Sequence, residues 1–199
     1  GTVLKSFDHS LVKNKKIDFI EQFNEKLLVK QEEHNLQILD VRTGEVVEVE
    51  KSKFQTPSAF IFLYENQLFL TFRDQAVSVW NFRGELVTDF DDHKLWHPDC
   101  NTNNIFITAQ QDVIMSYCRP QNDVHASQGS INISNILNGQ LLAKLSADNS
   151  VNRMSATPDP GSKENERRAL QDVTSLFYNE ETNEIYTGNK HGGLHVWSA

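Results

Sequence analysis

A unit of four short β-type apolar segments recurs along the chain, and that period constrains the fold more than any other feature. "NLQILDVRTGEVVEVE", "AVSVWNFRGELVTDF" and "SINISNILNGQLLAKL" repeat one pattern, and "GLHVWSA" repeats its first half. Aligned on the strand centre, Leu39, Trp80, Ser134 and Trp197 share one position, and Asp40, Asn81, Asn135 and Ser198 share the next. A turn glycine follows at Gly44, Gly84 and Gly139, with spacings of 40 and 55 residues. A period near 40 residues with variable insertions marks a repeat array, in which stacked neighbours bury faces that one unit alone leaves open.

Each unit resolves into strands rich in Val, Ile, Phe, Thr and Tyr, punctuated by Asn, Gly, Asp and Glu. The first offers "IDFIEQF", "EKLLVKQE", "NLQILDV" and "GEVVEVE"; the last offers only "VTSLFYN", "EIYTGNK" and "LHVWS". Blades are therefore expected over 17–50, 58–90 and 104–145, with three strands of a last blade over 173–198. The spacing predicts one all-β region over 1–199, a β-propeller. The opening "GTVLKSF" superimposes on "GELVTDF" and "GQLLAKL", so residues 1–7 are expected as a closing strand beside "LHVWS", within the chain or between chains. An unpaired strand there would present a flat edge with unsatisfied backbone groups.

Composition narrows the function classes. Hydrophobic residues make up 38% and charged residues 23%, ordinary for a folded domain. The longest apolar runs are too short to span a bilayer as a helix, and no signal-peptide pattern opens the sequence. A net charge of −8 argues against general nucleic-acid binding, which needs surplus Lys and Arg to neutralise phosphate. Two cysteines, Cys100 and Cys118, read as incidental thiols rather than a disulfide framework, which favours an intracellular location, cytoplasmic or nuclear.

At these residues the chain resembles the WD40-repeat family. Thr187-Gly188-Asn189 leads through His191-Gly192 to Leu194-His195-Val196-Trp197, and Asp74 stands six residues before Trp80. His9 in "SFDHS" and His93 in "DFDDHK" resemble the histidine of the family's "GH" pair, with Asp in place of Gly. The resemblance implies that His9, Asp74, Trp80, His93 and Trp197 stabilise blades through a network of histidine, turn aspartate, a Ser or Thr, and Trp. Leu39 and Ser134 depart from the Trp position, and His191 from the turn aspartate. Because the family's rings usually have about seven blades, the four visible here are expected to be part of a larger ring. A half-propeller completed by another chain and a four-bladed ring are the alternatives.

In such an architecture the first-to-second and third-to-fourth strand connections share one face, and here they are short. Every long insertion falls on the other: "DHSLVKNKK", "DDHKLWHPDCNTN", "RPQNDVHASQG" and the stretch 146–172. Long loops on a rigid scaffold are where binding concentrates. Candidate binding residues on that face are Trp96, His97, Arg119, Arg153, Arg167 and Arg168. "GSKENERRALQD" predicts a short helix starting near Ser162, on which the arginines either offer a bidentate fork to an anionic group or pair with Glu164, Glu166 or Asp172. In "HKLWHPDC", His93, His97 and Cys100 have ligating chemistry, but Pro98 disfavours helical i,i+4 geometry and no second paired motif exists, so no metal is expected.

Catalytic signatures are missing from the sequence: no Gly-rich phosphate loop, no G-x-S-x-G elbow and no H-E-x-x-H helix. The expectation is a non-enzymatic scaffold or adaptor without cofactors, binding a protein or peptide within a multi-subunit complex, with neither nucleic acid nor a membrane expected as a partner for this charge and hydropathy. The rival is a hydrolase or metal-dependent enzyme using the 91–100 loop.

Overall fold

The computed structural model describes residues 1–7, 11–50, 53–54, 57, 59–73, 76–90, 92–93, 102–118, 129–147 and 160–198. Each repeat unit folds as an antiparallel meander. Blade 1 holds β1 (Ile17–Phe23), β2 (Lys26–Gln31), β3 (Leu36–Asp40) and β4 (Val46–Val49) in that order. Blade 2 holds β5 (Ala59–Leu63), β6 (Leu68–Arg73), β7 (Ala76–Asn81) and β8 (Leu86–Phe90). Blade 3 holds β9 (Ile105–Ile107), β10 (Val113–Cys118), β11 (Ser130–Asn135) and β12 (Leu141–Ser146), with a 3-10 turn, Thr102–Asn104, before it. Helix α1 (Pro160–Ala169) precedes blade 4, which has β13 (Val173–Asn179), β14 (Glu184–Asn189) and β15 (Leu194–Ser198).

The strand registers explain the periodic residues. Leu27 pairs with Leu39, Phe69 with Trp80, Ile114 with Ser134 and Ile185 with Trp197, so the aligned positions are equivalent in space. The polar residue that follows in three blades is a turn cap. Asp40 Oδ1 accepts from Arg42 N and Thr43 N, Asn81 Oδ1 from Arg83 N and Glu85 N, and Asn135 Oδ1 from Leu137 N and Asn138 N. These bonds, the Thr43 amide first, hold the Asp40 carboxyl down to about 2. Each turn then needs a left-handed residue, supplied by Gly44, Gly84 and Gly139 at φ +79°, +82° and +70°.

Alternation along the strands gives every blade two apolar faces, and these stack. The trailing face of blade 1, with Phe23, Leu28, Leu36 and Ile38, packs on the leading face of blade 2, with Phe60, Phe69 and Trp80. Leu70, Val77 and Val79 on the trailing face of blade 2 pack on Ile105, Ile107 and Ile114 of blade 3. Met115, Tyr117 and Ile131 of blade 3 pack on Leu176, Ile185 and Trp197 of blade 4. Among the described residues no core cluster joins blade 4 to blade 1.

Within the chain, the expected closing strand is not formed. Residues 1–7 form no strand, and β14 is the sole sheet neighbour of β15 among the described residues. Val3 and Leu4 are 82% and 96% exposed. The segment is instead tied to blade 1, where Lys5 Nζ donates to the carbonyls of Val41 (2.7 Å) and Arg42 (3.0 Å). A second tie lies at the opposite end of the blade: Val12 N donates to Gln31 Oε1, and Gln31 Nε2 returns a bond to Val12 O, both at 2.9 Å. The bonds that hold this stretch run to blade 1 rather than to the edge of blade 4.

Candidate interaction face

The two ends of the blades differ in how they are finished. At one end, the residue after the third strand donates to the first hairpin of its own blade: Val41 N to Glu25 O, Phe82 N to Gln67 O and Ile136 N to Asp112 O. The same hairpins bond across blades. Asn66 Nδ2 of blade 2 donates to Gln110 O and Gln111 O of blade 3, and Ala109 N of blade 3 donates to Glu180 Oε1 of blade 4. This end is short, polar and closed on itself.

The opposite end carries the connections into each blade. Glu32 N donates to Lys16 O in blade 1, and Lys190 N to Asp172 O in blade 4, which places the entry segments and the second-to-third turns together. Helix α1 is mounted there on two blades. Tyr117 Oη on β10 donates to Leu170 O at 2.7 Å, Gly129 N donates to the same carbonyl, and Asn189 Nδ2 on blade 4 donates to Arg168 O. Ala169, the last residue of the helix, and Leu170 after it are buried. The helix begins at Pro160, two residues before the expected start, because Pro is preorganised for the first turn.

Of the predicted binding residues, only two are described. Arg167 and Arg168 are exposed in the last turn of α1. Arg168 Nε pairs with Glu164 Oε1 at 3.4 Å, the self-pairing alternative, whereas Arg167 has no ion-pair partner among the described residues. Trp96, His97, Arg119 and Arg153 lie outside the described residues, as do Cys100 and the blade residues His9 and Asp74. His191, at the turn-aspartate position, comes within 3.4 Å of Asp172.

The blade-stabilising positions are resolved in three chemistries. In blade 2, Trp80 Nε1 donates to Thr71 Oγ1 at 3.0 Å; in blade 4, Trp197 Nε1 donates to Thr187 Oγ1 at 3.0 Å. In blade 3, where Ser134 stands at the Trp position, the His93 ring fills the gap. Its Nδ1 lies 2.6 Å from Ser116 Oγ and its Nε2 2.8 Å from Ser134 Oγ. In blade 1, Leu39 and Val29 occupy the two positions as a buried apolar pair that needs no hydrogen bond. Thr71 and Ser116 were not singled out from the sequence, and Thr187 only as part of the repeat match; the nine- and ten-residue spacing from Thr71 to Trp80 and from Thr187 to Trp197 is the signal that finds the two threonines.

The His93–Ser116 contact has the spacing of a base and its nucleophile. Both residues are fully buried, so a substrate has no approach to them in this conformation. Burial also lowers the His93 pKa to about 4 and raises that of the neighbouring Cys118 thiol to about 11, so at neutral pH the histidine is uncharged and the thiol protonated. The group is a cross-strand tie. Among the described residues no cluster of three His, Cys, Asp or Glu side chains is arranged to hold a metal, and no helix is long and apolar enough to cross a membrane.

A family model described as Domain of unknown function (DUF7899) matches residues 1–197. The chain belongs to that family. No curated protein matches the sequence. Among solved structures, this DUF7899 chain is similar to the β-propeller domain of Myceliophteria thermophila Cps50 (Swd1), at 12% identity and a TM-score of 0.53, over 93% of this chain and 54% of that one. The computationally designed Ika8 protein aligns at 18% identity and a TM-score of 0.46, over 92% and 46% of the two chains. The designed Ika4 protein aligns at 18% and 0.44, over 100% and 98%. The chain spans about half the length of the Cps50 and Ika8 structures. The Cps50 likeness, together with stacked four-stranded meanders, makes the architecture an all-β propeller.

Proposed function

We propose that this chain is a non-enzymatic scaffold of divergent WD40-like type, which binds a protein or peptide partner on the end that carries α1. The observation that carries this reading is the asymmetry between the ends. One end is occupied by hairpins bonded to one another across blades, while the other mounts a helix across blades 3 and 4 with the Arg167 side chain exposed. A rigid platform with an exposed guanidinium suits a carboxylate- or phosphate-bearing partner, because Arg offers a planar bidentate fork. The expectation from the sequence that the long insertions fall on one face of the array supports the same reading. The acidic balance favours protein over nucleic acid, and the two-cysteine sequence favours an intracellular setting.

The test compares capture from a cell extract by four forms of the chain: the parent, a form lacking 148–159, Arg167→Glu and, on the opposite end, Arg83→Glu. The deletion stops short of Leu170 and Val173, which belong to the core. Proteins retained by the parent and by Arg83→Glu, and lost from the other two, support the proposal. Partners lost from Arg83→Glu alone would overturn it.

A further inference from the structure

The leading face of blade 1 is buried, although no core cluster joins it to another blade among the described residues. Val29 and Leu39, on adjacent strands of that face, are 1% and 2% exposed, and Gln31 and Gln37 beside them are also buried. The residues equivalent to Leu39 in blades 2 and 4, Trp80 and Trp197, pack against the preceding blade. Val29 and Leu39 belong to none of the clusters that blades form with one another, yet they are buried as deeply.

The segment ahead of the blade is tied at both ends of this face. Gln31, on the same face as Val29, commits its whole amide to that segment. It exchanges two bonds with the Val12 backbone, and its Nε2 also donates to Lys15 O at 3.2 Å. Neighbouring strands exchange N–H and C=O in the same way, so this side chain stands in for a strand partner. At the other end, Lys5 Nζ donates to the Val41 and Arg42 carbonyls and lies 5.1 Å from the centre of the Phe7 ring. From Leu36 to Val41 the face runs about 17 Å, and seven residues reach about 23 Å, so the chain from Lys5 to Val12 is long enough to cross it. The apolar side chains sort accordingly: Phe7 and Leu11 are half-buried, while Val3, Leu4 and Val12 are exposed.

We propose that the segment from Lys5 to Val12 is a latch: Phe7 and Leu11 cover Val29 and Leu39, and the segment lifts from blade 1 as a unit while the blades stay folded. Its described residues belong to no sheet, so lifting breaks no strand ladder. The Gln31 amide and the Lys5 ammonium exchange their bonds to protein for bonds to water, so neither is left buried and unpaired. The apolar contact alone opposes opening, and the open form uncovers an apolar patch at Val29 and Leu39 of the kind that marks an interaction surface. This inference rests on blade 1 and stands or falls apart from the partner proposed for the α1 end.

Hydrogen exchange of the Val12 amide, which donates to Gln31 Oε1, reads the latch in the 199-residue chain. Val12 is expected to exchange well ahead of the amides of β2 and β3, at a rate that denaturant below the unfolding transition barely changes. Phe7→Ala with Leu11→Ala is expected to quicken it about tenfold or more, because two apolar contacts are cut back. Amides of β6 and β7 should be unchanged, and an apolar-surface dye should bind more strongly. Val3→Ala with Leu4→Ala, a similar truncation outside the ties, should change none of these. Coupling reads the contact itself: with Leu39→Ala in place, the Phe7 and Leu11 truncations should quicken Val12 less than in the parent. Where Leu39→Ala fails to fold, Leu39→Val takes its place. Val12 exchange that keeps step with β2 and β3, or that ignores the Phe7 and Leu11 truncations, overturns the proposal. So does an equal response to the Val3 and Leu4 truncations, or a response that the Leu39 change leaves undiminished.

Discussion

Trp80 donates its indole N–H to Thr71 Oγ1 across two neighbouring strands, with both side chains buried at 3.0 Å separation. Replacing the threonine by valine keeps its shape and removes the acceptor, leaving a buried donor unsatisfied. Thr71→Val is expected to cost about 1–3 kcal/mol in urea unfolding. The same change at Thr187, whose Trp197 partner is only half-buried, should cost less, because water can replace the lost acceptor. Equal costs at both sites would mean that burial does not set the value of the bond.

This pair shows what the sequence discloses. The Trp position was legible from the Gly turn and the polar cap, since a fixed turn geometry fixes the count between them. Which residue supplies the hydroxyl in blade 2 was not, because a lone Thr in a strand has an ordinary β-propensity explanation. Nor was the partner of His93: Ser134 read as a departure from the pattern, yet its small side chain leaves room for the imidazole. The fate of residues 1–7 was hidden for a different reason. Their pattern matches a fourth strand, but the Lys5 bonds to Val41 and Arg42 that hold the segment at blade 1 depend on which blades stand next to it.

His93 makes blade 3 acid-sensitive. Its folded pKa of about 4 lies below the ordinary value of 6.5 because burial disfavours the charged ring. A depressed histidine contributes stability that is fully present above pH 6.5 and is lost as pH falls towards 4. Between pH 7.5 and pH 5 the loss is expected to be about 2 kcal/mol from this group, since each pKa unit is worth about 1.4 kcal/mol. His93→Gln should lower stability at pH 7.5 and flatten that part of the pH profile. A parent and variant with parallel profiles would exclude His93 as the source.

Two turn glycines separate backbone from packing. Gly44 and Gly84 have almost the same φ, +79° and +82°, but a Cβ at Gly44 meets nothing within 4 Å. At Gly84 it would collide with Val49 Cγ2 and lie 2.9 Å from Ile38 Cδ1, in the core between blades 1 and 2. Gly44→Ala is expected to cost about 1 kcal/mol for the left-handed backbone alone. Gly84→Ala should cost about 1–3 kcal/mol more, the range for overpacking a core. Thermal denaturation of the two variants side by side reads the difference, and equal shifts would mean that the turn moves away from Val49 at little cost.

The α1 platform depends on the Tyr117 hydroxyl. That group is buried and donates to Leu170 O, the carbonyl that ends the segment leading out of the helix. Tyr117→Phe keeps the ring in the interface between blades 3 and 4, and Leu170 O retains its bond from Gly129 N. Global stability should therefore fall by only about 1 kcal/mol, the net worth of one hydrogen bond. Local opening is a more sensitive readout, because a segment held at the surface of the blades can open without the whole domain. Amide exchange in 164–171 should quicken in the variant beyond what its global stability loss explains, while protection in β6 and β7 stays in step with that loss. Gly129→Ala attacks the same joint from the other side, since its Cβ would collide with the Tyr117 ring, and should loosen the same segment. Exchange that rises evenly over all blades in both variants would show that α1 opens only with the whole domain, and that the tyrosine has no particular hold on it.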